Sequence, residues 1–324
     1  MKSIRIFCCL LFVCAMLTLV LSGCTPADDS TAIVDSEDLA LLPLTIATVP
    51  TDDLLPLWVA QAEGITDELG LDIEILLFTS GREMMAALIA GEAQGGSLSM
   101  VQGYQLAQGG VPVMAITREG PSRGAIISSP QSGITSTEQL SGVAVAATEE
   151  SLEEYVLDRA LEDAGVPREE VTLEAVPSLP ARTELLMGEH VKAIMVPWTF
   201  ASLLEAKGAH ILVDEKQIEP YTSTVLAVRM DWLDKPQADA TIEAIWEAWN
   251  QGKELINANP EKYLPLLAEK ANLPAEAVES YEMQVYAPAQ LPSKEQVESV
   301  FDWAYAKGYI NEVMTYDEFV YQVK

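Results

Sequence analysis

From Leu44 the chain alternates strand-like and helix-like runs, and that alternation restricts it to a few architectures. Leu44 to Val49 is apolar and β-prone, and Leu54, Leu57, Trp58, Ala62 and Ile65 then recur at helical spacing with Pro56 in the opening turn. Leu71 to Phe78 forms the next strand. Ser80-Gly81-Arg82-Glu83 has the pattern of a capping box before "MMAALIAG". A short run at 97–99, a helix through Tyr104 and a strand at 111–117 continue the β-α-β rhythm of a parallel or mixed sheet. The turn-rich "SSPQSGITSTEQLSG" at 128–142 reads as a crossing to a second unit, in which strands at 143–147, 171–176, 191–196 and 210–213 alternate with helices. "STVLAVRM" at 223–230 reads as a strand leading back, and nearly everything after Pro236 is helical. The expected architecture is two α/β lobes joined by two crossing strands, with a helical C-terminal segment. Lobe one takes 44–128 plus 226–324, and lobe two takes 129–225.

The N-terminal stretch is of a different kind. Met1 to Arg5 carries two positive charges, Ile6 to Leu21 is almost wholly apolar, and Leu21-Ser22-Gly23-Cys24 supplies small residues before a polar run. This is the layout of a secretory signal, too short for the roughly 20 residues of a spanning helix. The Leu-Ser-Gly-Cys ending resembles a bacterial lipobox, which implies cleavage after residue 23 and a lipid on Cys24, with 24–43 as a flexible acidic tether. Several acyl chains hold a protein firmly, since each buried methylene contributes about 0.8 kcal/mol. Cys8, Cys9 and Cys14 would leave with the signal, so the exported chain keeps no disulfide, cysteine nucleophile or cysteine metal site. The net charge of −30 becomes more negative once Lys2 and Arg5 are lost. Such a field repels nucleic acid and anionic headgroups, and the chain is expected to act as a monomer without nucleic acid, cofactor or metal.

In order along the chain stand "LPLWVA" with "AEGI", Leu71-Asp72-Ile73-Glu74, "TSGREMMAALIAGEA", "GVPVMAIT", "ITSTEQLSGVAVA", "LDRALEDAGV", "LLMGEHVKAIMVPW" and "LEAKGAHILVD". From about Leu44 to Arg229 this succession resembles the two-lobed solute-binding proteins of ABC importers, in the branch of nitrate, sulfonates, taurine and thiamine-pyrimidine precursors. The resemblance implies the type II periplasmic-binding-protein-like fold, and capture of a small organic ligand between the lobes for delivery to an ABC permease. The chain departs from the family at Gly91-Glu92-Ala93-Gln94-Gly95-Gly96, where an acidic residue often follows the turn. It departs again at Ala147-Thr148-Glu149-Glu150-Ser151, where a Gly-Ser/Thr-rich loop is common. The ligand class therefore does not carry over.

Ligands of open α/β sheets sit beyond the carboxyl ends of the strands, near helix N-termini. From lobe one this selects Thr51, Asp52, Leu55, Trp58, Ser80, Gly81, Ser97, Ser99, Thr117 and Arg118. Lobe two contributes Thr148, Glu149, Glu150, Ser151, Ser178, Pro197 and Trp198, and the return crossing adds Tyr221 and Thr222. Ser80 and Ser151 read as helix caps as well as contacts, with Ser151-Leu152-Glu153-Glu154 as a second capping box. Trp58 lies on an apolar stripe and reads more readily as core. Trp198 follows a strand and offers a stacking surface for a ring, or packs in its lobe. Arg118 and Arg123 flank Glu119 and pair either with it, the reading preferred, or with a ligand carboxylate. The glutamates around Ser151 either point to solvent or oppose a bound sulfonate, and on the second reading a neutral or cationic ring-containing ligand is favoured.

An enzyme of pyrimidine-precursor metabolism on the same scaffold, or a sensor for a membrane partner, is the alternative. Catalysis calls for histidines or cysteines near the cleft. The exported chain has only His190 and His210, both distant in sequence from the selected loops, and no phosphate-loop, HExxH or GxSxG pattern.

Overall fold

The structure, a computed structural model, describes residues 40–118, 124–218 and 224–324. The proposed signal, Cys24, most of the tether, and Glu119, Arg123, Tyr221 and Thr222 lie outside the described residues.

The first half runs β1 (Leu44–Thr48), α1 (Leu55–Ala62), α2 (Ile65–Glu68), β2 (Ile73–Leu77), α3 (Gly81–Ala90), β3 (Gly95–Leu98), α4 (Met100–Gln108) and β4 (Val113–Arg118). Next come β5 (Gly124–Ser128), β6 (Ala144–Ala147), α5 (Leu152–Asp163), β7 (Thr172–Ala175), α6 (Leu179–Met187), β8 (Ala193–Pro197), α7 (Trp198–Ala206) and β9 (His210–Asp214). The chain finishes with β10 (Val225–Arg229), α8 (Met230–Leu233), α9 (Ala238–Ala258), α10 (Pro260–Lys270), α11 (Ala275–Ser280), α12 (Lys294–Ala306) and α13 (Tyr316–Phe319).

These strands form two five-stranded sheets, ordered β2-β1-β3-β10-β4 and β7-β6-β8-β5-β9. In each, three neighbouring strands are parallel, and the fourth in line, β10 or β5, runs antiparallel to both its neighbours. β4 ends in the first sheet and β5 begins in the second, so the chain crosses between Arg118 and Gly124. It returns between Gln217 and Val225.

This corrects the lobe boundary read from sequence. Residues 124–128 belong to the second sheet, where Ala125 pairs with Val196 and Asp214. The turn-rich run after them lies inside lobe two, held by Ser128 Oγ donating to Ile134 O at 2.6 Å. Its Ser, Pro and Gly residues mark the end of β5 and not the crossing, because they follow a strand already buried between two partners.

The core of lobe one lies on two faces of its sheet. One cluster gathers Ile46, Leu55, Trp58, Leu226, Ile245 and Trp249 beneath α1 and α9. α9 is strongly amphipathic, and its buried Gly252 faces α1 so closely that a Cβ there would stand 2.0 Å from Pro56 O. The other cluster, around Tyr104, Phe301 and Phe319, continues into lobe two through α5. There Tyr155 meets the edge of Trp303 at 5.4 Å between ring centroids, and its hydroxyl lies 2.6 Å from Ser299 Oγ. The lobes thus pack where Tyr155 of α5 meets Trp303 and Ser299 of α12, and again where α7 meets α11.

Candidate functional site

The carboxyl ends of β1, β2 and β3 lead into the loops before α1, α3 and α4, and those of β6, β7 and β8 into the loops before α5, α6 and α7. In lobe one the loop at 49–54 is tied down by hydrogen bonds within it and from 281–286. Asp52 and Asp53 are both buried. Asp52 Oδ2 accepts from Tyr281 Oη at 2.8 Å and from Gln284 Nε2 at 2.7 Å, while Tyr286 Oη donates to the Asp52 carbonyl at 2.8 Å. Burial first, then the charge of Asp52, holds the Tyr286 phenol well above its ordinary pKa, so it stays a donor. Thr51 Oγ1 donates to Asp53 Oδ2 at 2.8 Å.

Ser80 caps α3 by accepting from Glu83 N at 3.3 Å, and Glu83 reaches back to Thr79 N and Oγ1 at 3.1 and 2.6 Å. Gly81 opens that helix. Ser99 and Gln102 form a full reciprocal capping box at α4, Ser97 is buried in β3, and Thr117 exchanges hydrogen bonds with the backbone of Gln290 at 3.2 and 3.3 Å. Arg118 ends β4. Leu55 and Trp58 are not brought to this edge: the first turns of α1 point them into the core against α9.

In lobe two the acidic loop folds differently from the expected capping box. Ser151 makes no cap bond; its hydroxyl donates to Thr148 O at 2.6 Å. The two glutamates of the first helical turn cap the loop instead. Glu153 Oε2 accepts from Thr148 N at 2.8 Å and Glu154 Oε2 from Glu150 N at 2.9 Å. Arg182 of α6 donates to Glu153 through both terminal nitrogens, at 2.5 and 3.0 Å. Glu154 is buried and takes Lys307 Nζ at 3.0 Å and Tyr309 Oη at 2.9 Å from lobe one. Glu149 and Glu150 are exposed, and Glu150 has a left-handed φ of 53°. Ser178 caps α6, accepting from Ala181 N at 3.4 Å. Pro197 is the N-cap of α7, and Trp198, its first residue, packs against the apolar clusters of both lobes.

The structure therefore brings Asp52 and Asp53 to one lobe's edge and Thr148 to Ser151 to the other's, with Trp198 between the two cores. Sequence reasoning missed Tyr281, Gln284 and Tyr286, which lie in a non-helical stretch between α11 and α12, and Arg182. A clue was available, since 281–292 crowds tyrosines, glutamines and prolines without any helical apolar period. It also missed Glu215, which follows β9 beside the return crossing. This side chain is buried, and its Oε2 accepts from Gly124 N at 2.6 Å, where the outward crossing enters lobe two. Burial, opposed in part by that hydrogen bond and aided by the charges of Asp214 and Glu153, pushes its pKa up to about 8. His190 and His210 are exposed, and among the described residues no group of three potential ligands could hold a metal.

A sequence profile described as NMT1/THI5 like matches residues 51–263. No curated protein matches the sequence. Solved structures do. The periplasmic aliphatic sulphonate binding protein SsuA from Escherichia coli superposes with a TM-score of 0.74, at 19% identity over 87% of this chain and 92% of that one. The alkanesulfonate-binding protein SsuA from Xanthomonas axonopodis pv. citri, bound to MOPS, gives 0.71 at 18% identity, over 86% and 98%. The periplasmic nitrate-binding protein NrtA from Synechocystis PCC 6803 gives 0.65 at 14%, over 84% and 83%. The fold is the two-lobed periplasmic-binding-protein-like one.

Glu215 makes stability depend on pH in a defined direction. The unfolded chain releases this proton near 4.5 and the folded chain near 8. Between those values the folded form holds a proton that the unfolded form has lost, so this group's contribution is full below about 4.5 and falls as pH rises to about 8. Glu215→Gln removes the titration while leaving an acceptor for Gly124. Urea unfolding from pH 5 to 9 should show the variant gaining on the wild type by up to about 1.4 kcal/mol per pH unit. Parallel pH profiles would contradict a buried, protonated Glu215.

Proposed function

The chain belongs to the NMT1/THI5-like family, and from that membership we propose that it is an extracytoplasmic solute-binding protein, lipid-anchored through Cys24, that captures a small organic ligand between its lobes and delivers it to an ABC permease. The observation that carries this reading is the pair of sheets with one topology, each presenting its carboxyl-edge loops and helix N-termini, on a chain that crosses between them twice. Each lobe supplies half of a site. A ligand that touches both stabilises the arrangement in which they meet by its differential affinity for that arrangement. Binding without chemical change is the activity assigned. The attachment proposed is the lipid on Cys24, and it rests on the Leu21-Ser22-Gly23-Cys24 ending of the N-terminal apolar run.

The favoured ligand is neutral or cationic and carries a ring. Supporting this, the buried carboxylates of Asp52 and Asp53 stand at the edge of lobe one, and Glu149 and Glu150 are exposed on the facing loop of lobe two. The Thr148 and Glu150 N–H groups, which could take a ligand anion, already serve Glu153 and Glu154. Trp198 offers an aromatic face where the lobes meet.

Two outcomes test the proposal. Mass spectrometry of the N-terminus should find a chain beginning at an acylated Cys24, and Cys24→Ser should be neither lipidated nor cut there; an unmodified wild-type Cys24 would remove the anchor. In a thermal-shift screen of pyrimidines, aromatic cations, amino-acid derivatives and sulfonates, ring-containing neutral or cationic compounds should raise the melting temperature. Trp198→Ala should then weaken the best of them by about 1 to 3 kcal/mol. Unchanged affinity with a lowered melting temperature would make Trp198 a packing residue alone.

A further inference from the structure

Arg182 is buried, with 3% of its side chain exposed. Its two terminal nitrogens converge on one carboxylate, that of Glu153, whose side chain is 26% exposed. The same carboxylate takes the Thr148 N–H at the start of the loop. Arg182 Nε is buried and has no hydrogen-bond partner among the described residues. A two-pronged guanidinium, a loop N–H and the N-terminal end of a twelve-residue helix are the donor set that binds a carboxylate or sulfonate. Here the anion comes from the chain itself. The donors lie in the interior and the carboxylate at the surface, so taking the carboxylate away would leave a cavity that opens outward onto a buried positive charge.

We propose that the Thr148 loop, the α5 N-terminus and Arg182 form a latent oxyanion site, occupied in this protein by Glu153, which thereby excludes small sulfonates and carboxylates from lobe two. Glu153 is a specificity-determining residue on this account. Its meaning for ligand choice rests on the solute-binding reading, but the site itself does not. Leaving Arg182 without a counter-charge is costly in a buried setting, and an external anion that restores the pairing must stabilise the folded state in proportion to its occupancy.

The test is chemical rescue of the full chain, with sodium methanesulfonate and sodium acetate as probes against sodium chloride at equal ionic strength. Glu153→Ala should lower the melting temperature, and either probe should restore it along a saturable curve that chloride does not reproduce. Calorimetry should show at least a tenfold gain in methanesulfonate affinity over the wild type. Glu153→Gln, which keeps the side chain's bulk and secures a folded variant, should show the same preference more weakly. Adding Arg182→Met to either variant should abolish the rescue. Glu169→Gln, which removes one exposed charge elsewhere, should show none.

No response beyond chloride in either Glu153 variant, or an equal response in Glu169→Gln, would overturn the proposal. So would tight methanesulfonate binding by the wild type, which would leave the solute-binding reading standing. Rescue in a protein whose wild type binds no solute at all would uphold the site and defeat that reading instead.

Discussion

Each sheet is completed by a strand that arrives from the other. β5 is the first strand after the outward crossing and β10 the first after the return, and each slots antiparallel into the fourth position of a sheet whose first three strands are parallel. Neither strand can be withdrawn without opening a sheet at an interior position, where ladder bonds on both sides would be lost. The exchange ties two α/β units into one molecule while leaving only two short segments between them. It also fixes where the loops gather: the three parallel strands of each lobe end at the edge where their helices begin, so the loops proposed to hold ligand are those after β1, β2 and β3 and after β6, β7 and β8.

A chain with 49 acidic and 19 basic side chains has to organise carboxylates wherever its loops converge. It does so by giving its buried acids dedicated donors. Asp52 is clasped by two side chains from a segment more than two hundred residues later, which pins the C-terminal stretch to the first functional loop. Glu154 draws Lys307 and Tyr309 from lobe one onto α5 of lobe two. Removing a donor from such a buried carboxylate leaves an acceptor unsatisfied, at a cost of about 1 to 3 kcal/mol. These contacts fix loop conformation more than they add net stability. The left-handed Glu150 is kept in place by the bond from its own N–H to Glu154, which offsets its backbone strain.

Much of this was legible in the sequence because apolar periodicity reports which residues face a core. The alternation of elements, the helical C-terminus and the cap at Ser80 follow from local pattern. What was not legible depends on contacts between distant residues. Gly124–Ser128 reads in sequence with the rest of lobe one, because nothing local says which sheet receives the strand. Leu55 and Trp58 sit at the right place in sequence for a cleft, yet the phase of α1 turns both inward. Ser151-Leu152-Glu153-Glu154 has the spacing of a capping box, but Glu154, the partner that spacing assigns to Ser151, is taken by Lys307 and Tyr309, more than one hundred and fifty residues away, and by the Glu150 N–H. Tyr281, Gln284 and Tyr286 acquire a role only once Asp52 is folded against them.

The central claim is reversible capture without chemistry. Native mass spectrometry of the soluble chain from Asp35 onward, exchanged into a small-molecule extract of its host and desalted, tests it directly. The account predicts a one-to-one noncovalent adduct that releases, after prolonged incubation and denaturation, a compound of the same mass as in the extract. A released compound of altered mass would make the protein an enzyme, and no adduct under conditions that keep it folded would contradict solute capture.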